Sequence, residues 1–215
     1  MSAVIELRMA DVQALRLGTS GLETLRSLAG PKARPLGQDR TAEYAFLALA
    51  AADAYPGMRE VTREFVFLPR ERVLVEYDIV IAADPPEPVT WRLVGTGNAQ
   101  SLLPQRKPSS ETEFLHLIQM GERQTPGKIE SDDLAGLRLA QWAILFYAEP
   151  RMARSAVSFE VDGPPRMNFL IAGLAPGAWE IWRAGMRDQE DCAVRPGSGV
   201  LSFEGKPGSY FLRAV

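Results

Sequence analysis

The sequence predicts an all-β protein, an antiparallel β-sandwich of the super-sandwich type, preceded by a short, partly helical N-terminal segment. Three observations carry this. Short apolar runs rich in β-branched and aromatic residues recur about every dozen residues. Gly- and Pro-containing turns separate them, such as Asp162-Gly163, Pro176-Gly177 and Gly205-Lys-Pro-Gly208. The strand–helix alternation of a parallel α/β sheet is absent.

The longest run, Arg72 to Ala83, shows the pattern best. Val73, Val75, Tyr77, Ile79 and Ile81 fall on one face of a strand, and Arg72, Leu74, Glu76, Asp78 and Val80 on the other. One face is apolar and the other mixed. Tyr44–Ala50, Val61–Leu68 and Val89–Val94 flank this run and complete a meander, with Pro69–Glu71 as a turn and Asp84–Pro88 as a break.

Residues 1–40 read as an N-terminal segment and linker, and residues 41–215 as the sandwich domain. Ala10–Leu17 and Leu22–Ala29 are candidate helices, the second with a Leu22, Leu25, Leu28 stripe. Thr19 or Ser20 is its candidate cap, with Glu23 three residues after Ser20, and Gly30-Pro31 ends it. Pro31–Arg40 reads as a polar connector. Beyond the meander, Thr96–Thr112 reads as a loop and Glu113–Met120 as a strand with Phe114, His116, Ile118 and Met120 on one face. Gly121–Asp133 reads as a second loop, and Leu137–Tyr147 as one bent strand or two. Arg154–Val161, Met167–Leu174, Ala178–Arg183, Gly199–Glu204 and Ser209–Arg213 are the remaining strands.

The chain has 215 residues, 46% apolar and 24% charged, as a soluble globular domain does. A net charge of −3 supplies no global field for nucleic acid. One cysteine, Cys192, excludes an intrachain disulfide. No apolar run approaches the roughly 18 residues that span a bilayer, so no membrane partner is expected. Charges interrupt the apolar N-terminus, unlike a signal peptide. The expected location is the cytoplasm for the chain as given, and periplasmic or secreted if it is a piece of a larger protein.

The chemistry-bearing residues are few. His116 is the single histidine, so it is the candidate base, with Tyr55 as a second catalytic candidate. A structural histidine in an apolar strand is the competing reading. Glu76 and Asp78 share a strand face with Arg72, and Arg63 on the neighbouring strand is placed to meet them. They suit cation sharing or acid–base work, or a solvated, salt-bridged face. Arg59, Arg63, Arg70 and Arg72 suit bidentate recognition of a uronate carboxylate, but glutamates interleave with them. Trp91, Trp142, Trp179 and Trp182 are candidate sugar-stacking platforms, Trp91 and Trp182 foremost, with a core position as the competing reading for each. Trp179 and Trp182 point to opposite faces of a strand, so one belongs in the core and the other outside.

The order of these motifs resembles the C-terminal β-sandwich region of heparinase II/III-like polysaccharide lyases, across roughly residues 41–215. The resemblance rests on Asp53-Ala-Tyr55, Val61-Thr-Arg-Glu-Phe-Val-Phe-Leu68, Val73-Leu-Val-Glu-Tyr-Asp78, Val89-Thr-Trp-Arg-Leu93, Leu174-Ala-Pro-Gly-Ala-Trp179 and Gly199-Val-Leu-Ser-Phe-Glu-Gly-Lys-Pro-Gly-Ser-Tyr-Phe-Leu212. It implies β-elimination on a uronic-acid-containing polysaccharide, and an α/α-toroid lyase domain or chain as a partner. Some members hold a structural zinc here. Asp78 is the matching ligand, but Val94 stands where a histidine is expected, so no metal or other cofactor is expected. The expectation is a non-catalytic module of such a lyase, binding acidic polysaccharide or packing on a toroid, with Arg63, Arg72, Glu76, Asp78, Trp91 and Trp182 as substrate contacts. The alternative is an enzyme whose reduced site, built on Tyr55 and His116, performs the elimination.

Overall fold

The computed structural model describes residues 3–15, 21–28, 30, 32–83, 89–95, 98–102, 111–149, 152, 153 and 155–215. The chain forms two compact units, Met1–Arg123 and Gln124–Val215.

The first unit is built on a six-stranded antiparallel sheet. Its strands are β2 (Arg34–Arg40), β3 (Ala45–Ala50), β4 (Met58–Leu68), β5 (Val73–Ala82), β7 (Asn98–Ser101) and β8 (Glu111–Gln119), in the order β2-β3-β4-β5-β8-β7. A separate parallel pair joins β1 (Ala3–Arg8) to β6 (Val89–Val94). Two helices, α1 (Met9–Ala14) and α2 (Gly21–Leu28), complete it. Leu25 and Leu28 form the buried stripe that the spacing predicts, with Leu22 partly buried beside them. They pack with Leu7, Met9 and Val12 against Leu47, Leu49, Phe65, Phe67, Leu74 and Ile118 of one sheet face. That face is the mixed one. β5 is therefore buried on both faces rather than on one.

Several expectations change here. Pro31–Arg40 is not wholly a connector, because Arg34–Arg40 forms edge strand β2. Its burial is too irregular to show alternation, and a register shift falls between Pro35 and Gly37. An edge is where a strand tolerates proline. Val89–Val94 leaves the meander to pair with β1. The expected Thr96–Thr112 and Gly121–Asp133 loops contain two short strands, β7 and β9 (Gly127–Glu130). The Thr19 and Ser20 cap and the Asp84–Pro88 break lie outside the described residues.

The second unit is a two-sheet sandwich. One sheet holds β9, β10 (Leu134–Leu139), β11 (Trp142–Tyr147), β13 (Met167–Ala172) and β16 (Val200–Gly205), in the order β16-β13-β11-β10-β9. The other holds β12 (Ala156–Val161), β14 (Gly177–Arg183), β15 (Met186–Val194) and β17 (Gly208–Ala214), in the order β12-β17-β14-β15. The run to Tyr147 is thus two strands, turned at Ala140, which takes a φ of 50°. Most pairings are antiparallel, but β11 and β13 are parallel. Strand β12 of the other sheet lies between them in sequence and makes the crossover a parallel pair needs.

The sandwich core draws Leu145, Phe169, Ile171 and Phe203 from one sheet and Phe159, Trp179, Ile181, Tyr210 and Leu212 from the other. Phe169 stacks on Phe203 with centroids 4.7 Å apart, and Phe159 on Tyr210 at 5.2 Å. The buried polar tips find acceptors. Trp179 Nε1 donates to the Ala175 carbonyl at 3.0 Å, and Tyr210 OH to the Lys206 carbonyl at 2.6 Å. Among the described residues no helix is long and apolar enough to cross a membrane.

One close approach sets the β10–β11 pairing. A Cβ at Gly136 would meet the Ile144 carbonyl oxygen and lie 2.9 Å from Leu145 Cα. Both obstacles are backbone, so neither can rotate away. Gly136→Ala is expected to cost about 2–3 kcal/mol in urea unfolding. An unchanged unfolding midpoint would show that this pairing is looser than drawn.

Candidate functional site

The register of the first sheet collects its polar residues. β4 sets Arg63 opposite Asp78, and β8 sets His116 opposite Glu76. β7 then sets Ser101 opposite His116. Strand alternation keeps all five on the face that α1 and α2 cover. Arg63 is the hub. Its Nε donates to Asp78 Oδ1 at 3.0 Å and its Nη2 donates to Glu76 Oε1. Its Nη1 donates to Tyr55 OH at 2.8 Å and to the Leu28 carbonyl at 3.3 Å. Leu28 is the last residue of α2, so a cation serves a carbonyl that the helix leaves unpaired. Trp91 closes the cluster: Nε1 donates to Glu76 Oε2 at 3.2 Å, and its ring stacks on His116 with centroids 3.5 Å apart. Ser101 Oγ lies 3.1 Å from His116 Nδ1.

The side chains of Arg63, Glu76 and Asp78 are 0% exposed. One guanidinium faces two carboxylates here. Burial raises the Glu76 carboxyl, and Asp78 raises it further. Burial raises Asp78 as well, against the pull of Arg63. Arg63 opposes both shifts through its charge and its hydrogen bonds to the two carboxyls. Burial pulls the Arg63 guanidinium down, but Asp78 and Glu76 more than reverse this and keep it charged. Burial lowers the His116 imidazole to about 3, with help from Arg63. On the opposite sheet face, burial and then Asp78 push Glu64 up to about 8. His116 is thus neutral near pH 7. Its Nε2, with Asp78 Oδ2, has no hydrogen-bond partner among the described residues.

The structure brings together Tyr55, Arg63, Glu76, Asp78, Trp91 and His116. It does not bring Arg72, which sits in the turn before β5 at a φ of 56° with its side chain exposed. That backbone twist takes it off the strand face assigned by alternation. Glu76 and Asp78 do not form a solvated face, because the N-terminal helices cover them. The expected Arg cluster divides too: Arg63 is buried while Arg59, Arg70 and Arg72 are exposed. Sequence reasoning missed Ser101, in an unrecognised strand, and the Leu28 carbonyl, which no side-chain pattern reveals. The cluster does not fit a metal ion. A guanidinium already occupies Asp78 Oδ1, Val94 brings no ligand, and no group of three or more metal-ligating side chains occurs among the described residues.

Trp182 lies in the second unit, on the outward side of β14. Trp179 is in the core, so the two divide as their spacing predicts. Trp182 Nε1 donates to Glu180 Oε2 at 3.3 Å, and Arg213 Nη2 donates to the same oxygen at 2.6 Å.

Two predictions follow from the buried charges. Arg63→Ala strands two carboxylates in the interior and is expected to cost about 3–5 kcal/mol in denaturant unfolding. Replacing Arg63 by Met together with Glu76 and Asp78 by Leu is expected to recover most of that loss. A mild effect of the single change would mean that water reaches the cluster. The second concerns pH. Glu64 holds its proton to about 8 when folded but to 4.5 when unfolded, so stability falls as pH rises across that interval. His116 titrates at about 3 folded against 6.5 unfolded, so its contribution rises across that lower interval. The raised Glu76 and Asp78 carboxyls act in the same direction as Glu64 and together outweigh His116, so stability is expected to peak near pH 4.5 and to decline towards 8. Glu64→Gln should flatten the alkaline limb of melting temperature against pH. A limb unchanged by that substitution would remove Glu64 from the account.

Residues 128–214 match the family described as the heparinase II C-terminal domain. No curated protein matches the chain. The match falls inside the second unit, whose two-sheet sandwich is the architecture the resemblance implied. Over these residues the chain is similar to the heparinase II C-terminal domain, which agrees with the resemblance seen in the sequence.

Proposed function

We propose that the chain is a non-catalytic β-sandwich module of a heparinase II/III-like lyase, one that binds acidic polysaccharide and serves a toroid lyase domain as its accessory half. One observation supports this above the others: His116, Glu76 and Asp78 are sealed inside the first unit. β-Elimination needs a base within hydrogen-bond reach of the sugar C5 proton. His116 is 1% exposed and lies under the Trp91 ring. Arg63, the candidate partner for a uronate carboxylate, already serves Glu76, Asp78, Tyr55 and Leu28. A polymer has no route to either without unpacking the sheet face. The reduced-site elimination reading is weaker for the same reason.

The test incubates the purified chain with alginate, an unsulfated uronan and a heparan-type glycan, with neutral glucans as controls. Binding is measured alongside ultraviolet absorbance of unsaturated products. Selective retention on an acidic glycan without product is expected. Product that disappears in His116→Ala would establish the enzyme reading instead.

A further inference from the structure

The outward face of the four-stranded sheet carries an open constellation. Strand pairing sets Trp182 of β14 opposite Phe211 of β17, and Glu180 opposite Arg213. Phe211 is 44% exposed, so its ring is open to a ligand. Trp182, Phe211, Ser209, Arg213 and the Ala184-Gly185 turn line a cavity of about 390 Å³. That turn joins β14 to β15 with both residues at positive φ, 50° and 78°, as a tight hairpin requires. A Cβ at Gly185 would meet nothing within 4 Å, so the cavity is open on that side.

Charge is distributed unevenly around this cavity. Arg213 and Arg187 both pair with the one Glu180 carboxylate, at 2.6 and 3.3 Å. The Arg213 side chain is 56% exposed, so its fork reaches solvent. At the other end, Glu160 of β12 stands opposite Ser209 and makes that end acidic.

We propose that this face binds a uronate-type pyranoside. The apolar C–H face of the ring packs on Trp182 and Phe211. The sugar carboxylate lies towards Arg213, whose planar fork suits a bidentate pair. The hydroxyls lie towards Ser209 and Glu160, where a carboxylate would be repelled. The inference rests on the reading of the chain as a polysaccharide-binding module and gives that module its site.

The experiment is calorimetric titration of the full chain with oligogalacturonate and with its methyl ester, which keeps the ring and masks the carboxylate. Trp182→Ala and Phe211→Ala should each weaken binding of both ligands about tenfold. Arg213→Gln should weaken the free acid about tenfold and leave the ester unchanged. Far-ultraviolet circular dichroism and thermal unfolding report the fold of each variant. Phe211 and Arg213 are exposed, so their substitutions decide the matter even if Trp182→Ala unfolds. Wild-type binding that survives both Phe211→Ala and Arg213→Gln would overturn this site while leaving the module reading intact. Equal wild-type affinity for acid and ester would overturn the carboxylate contact. A wild-type chain that retains no acidic glycan would overturn both. So would a Trp182→Ala effect confined to assembly with a toroid chain, which would make the face a protein interface.

Discussion

The buried guanidinium of Arg63 is the interaction on which the first unit depends. It binds two carboxylates from β5, the hydroxyl of Tyr55 and the closing carbonyl of α2. A buried charge is a poor source of net stability, because its desolvation offsets much of the Coulombic gain. Its value lies in discrimination. A one-residue slip of β4 against β5 would turn Arg63 to the other face and leave Glu76 and Asp78 without a cation. An apolar strand pair carries no such penalty for slipping. The contact with Leu28 extends the constraint to the helix, so strand register and helix position are set by one side chain. Trp91 adds β6 through Glu76 and His116.

The second unit is organised the opposite way. Its inner faces carry an aromatic core around Phe169 and Tyr210, with the buried polar tips of Trp179 and Tyr210 paired to backbone. Dispersion and burial hold it together, and no buried ion cluster is needed. Its charged side chains, such as Glu180 and Arg213, stand on the outside. That leaves the outer face free to acquire recognition without disturbing the core.

Much of this was legible in the sequence because strand alternation is a strong signal. It divided β5 into an apolar and a mixed face, and it put Trp179 and Trp182 on opposite sides of their strand. Alternation separates two faces, but it does not say what covers them. Glu76 and Asp78 look solvated until α1 and α2, some fifty residues earlier, fold over their face. β2 and β7 escaped for a related reason. Edge and short strands of polar residues have no buried face to pattern them. Arg72 was misplaced because a left-handed φ breaks the alternation from which its direction was read. Val89–Val94 did read as a strand. Its partner, β1, lay in a segment whose composition suggested only helix and linker.

The two arginines that chemistry singles out differ in one respect that decides their roles. To receive a sugar carboxylate, Arg63 would have to give up Glu76 or Asp78 while both remain buried. Breaking one side of such a pair costs about 3–5 kcal/mol, more than a single new carboxylate contact returns. The Arg213 side chain is 56% exposed where it meets Glu180, so water already competes for the guanidinium. Exchanging one carboxylate for another there leaves nothing stranded, and Arg187 remains to hold Glu180 in place. The same residue type in the same chain is therefore structural at position 63 and available for recognition at position 213. Desolvation, rather than side-chain chemistry, separates the two.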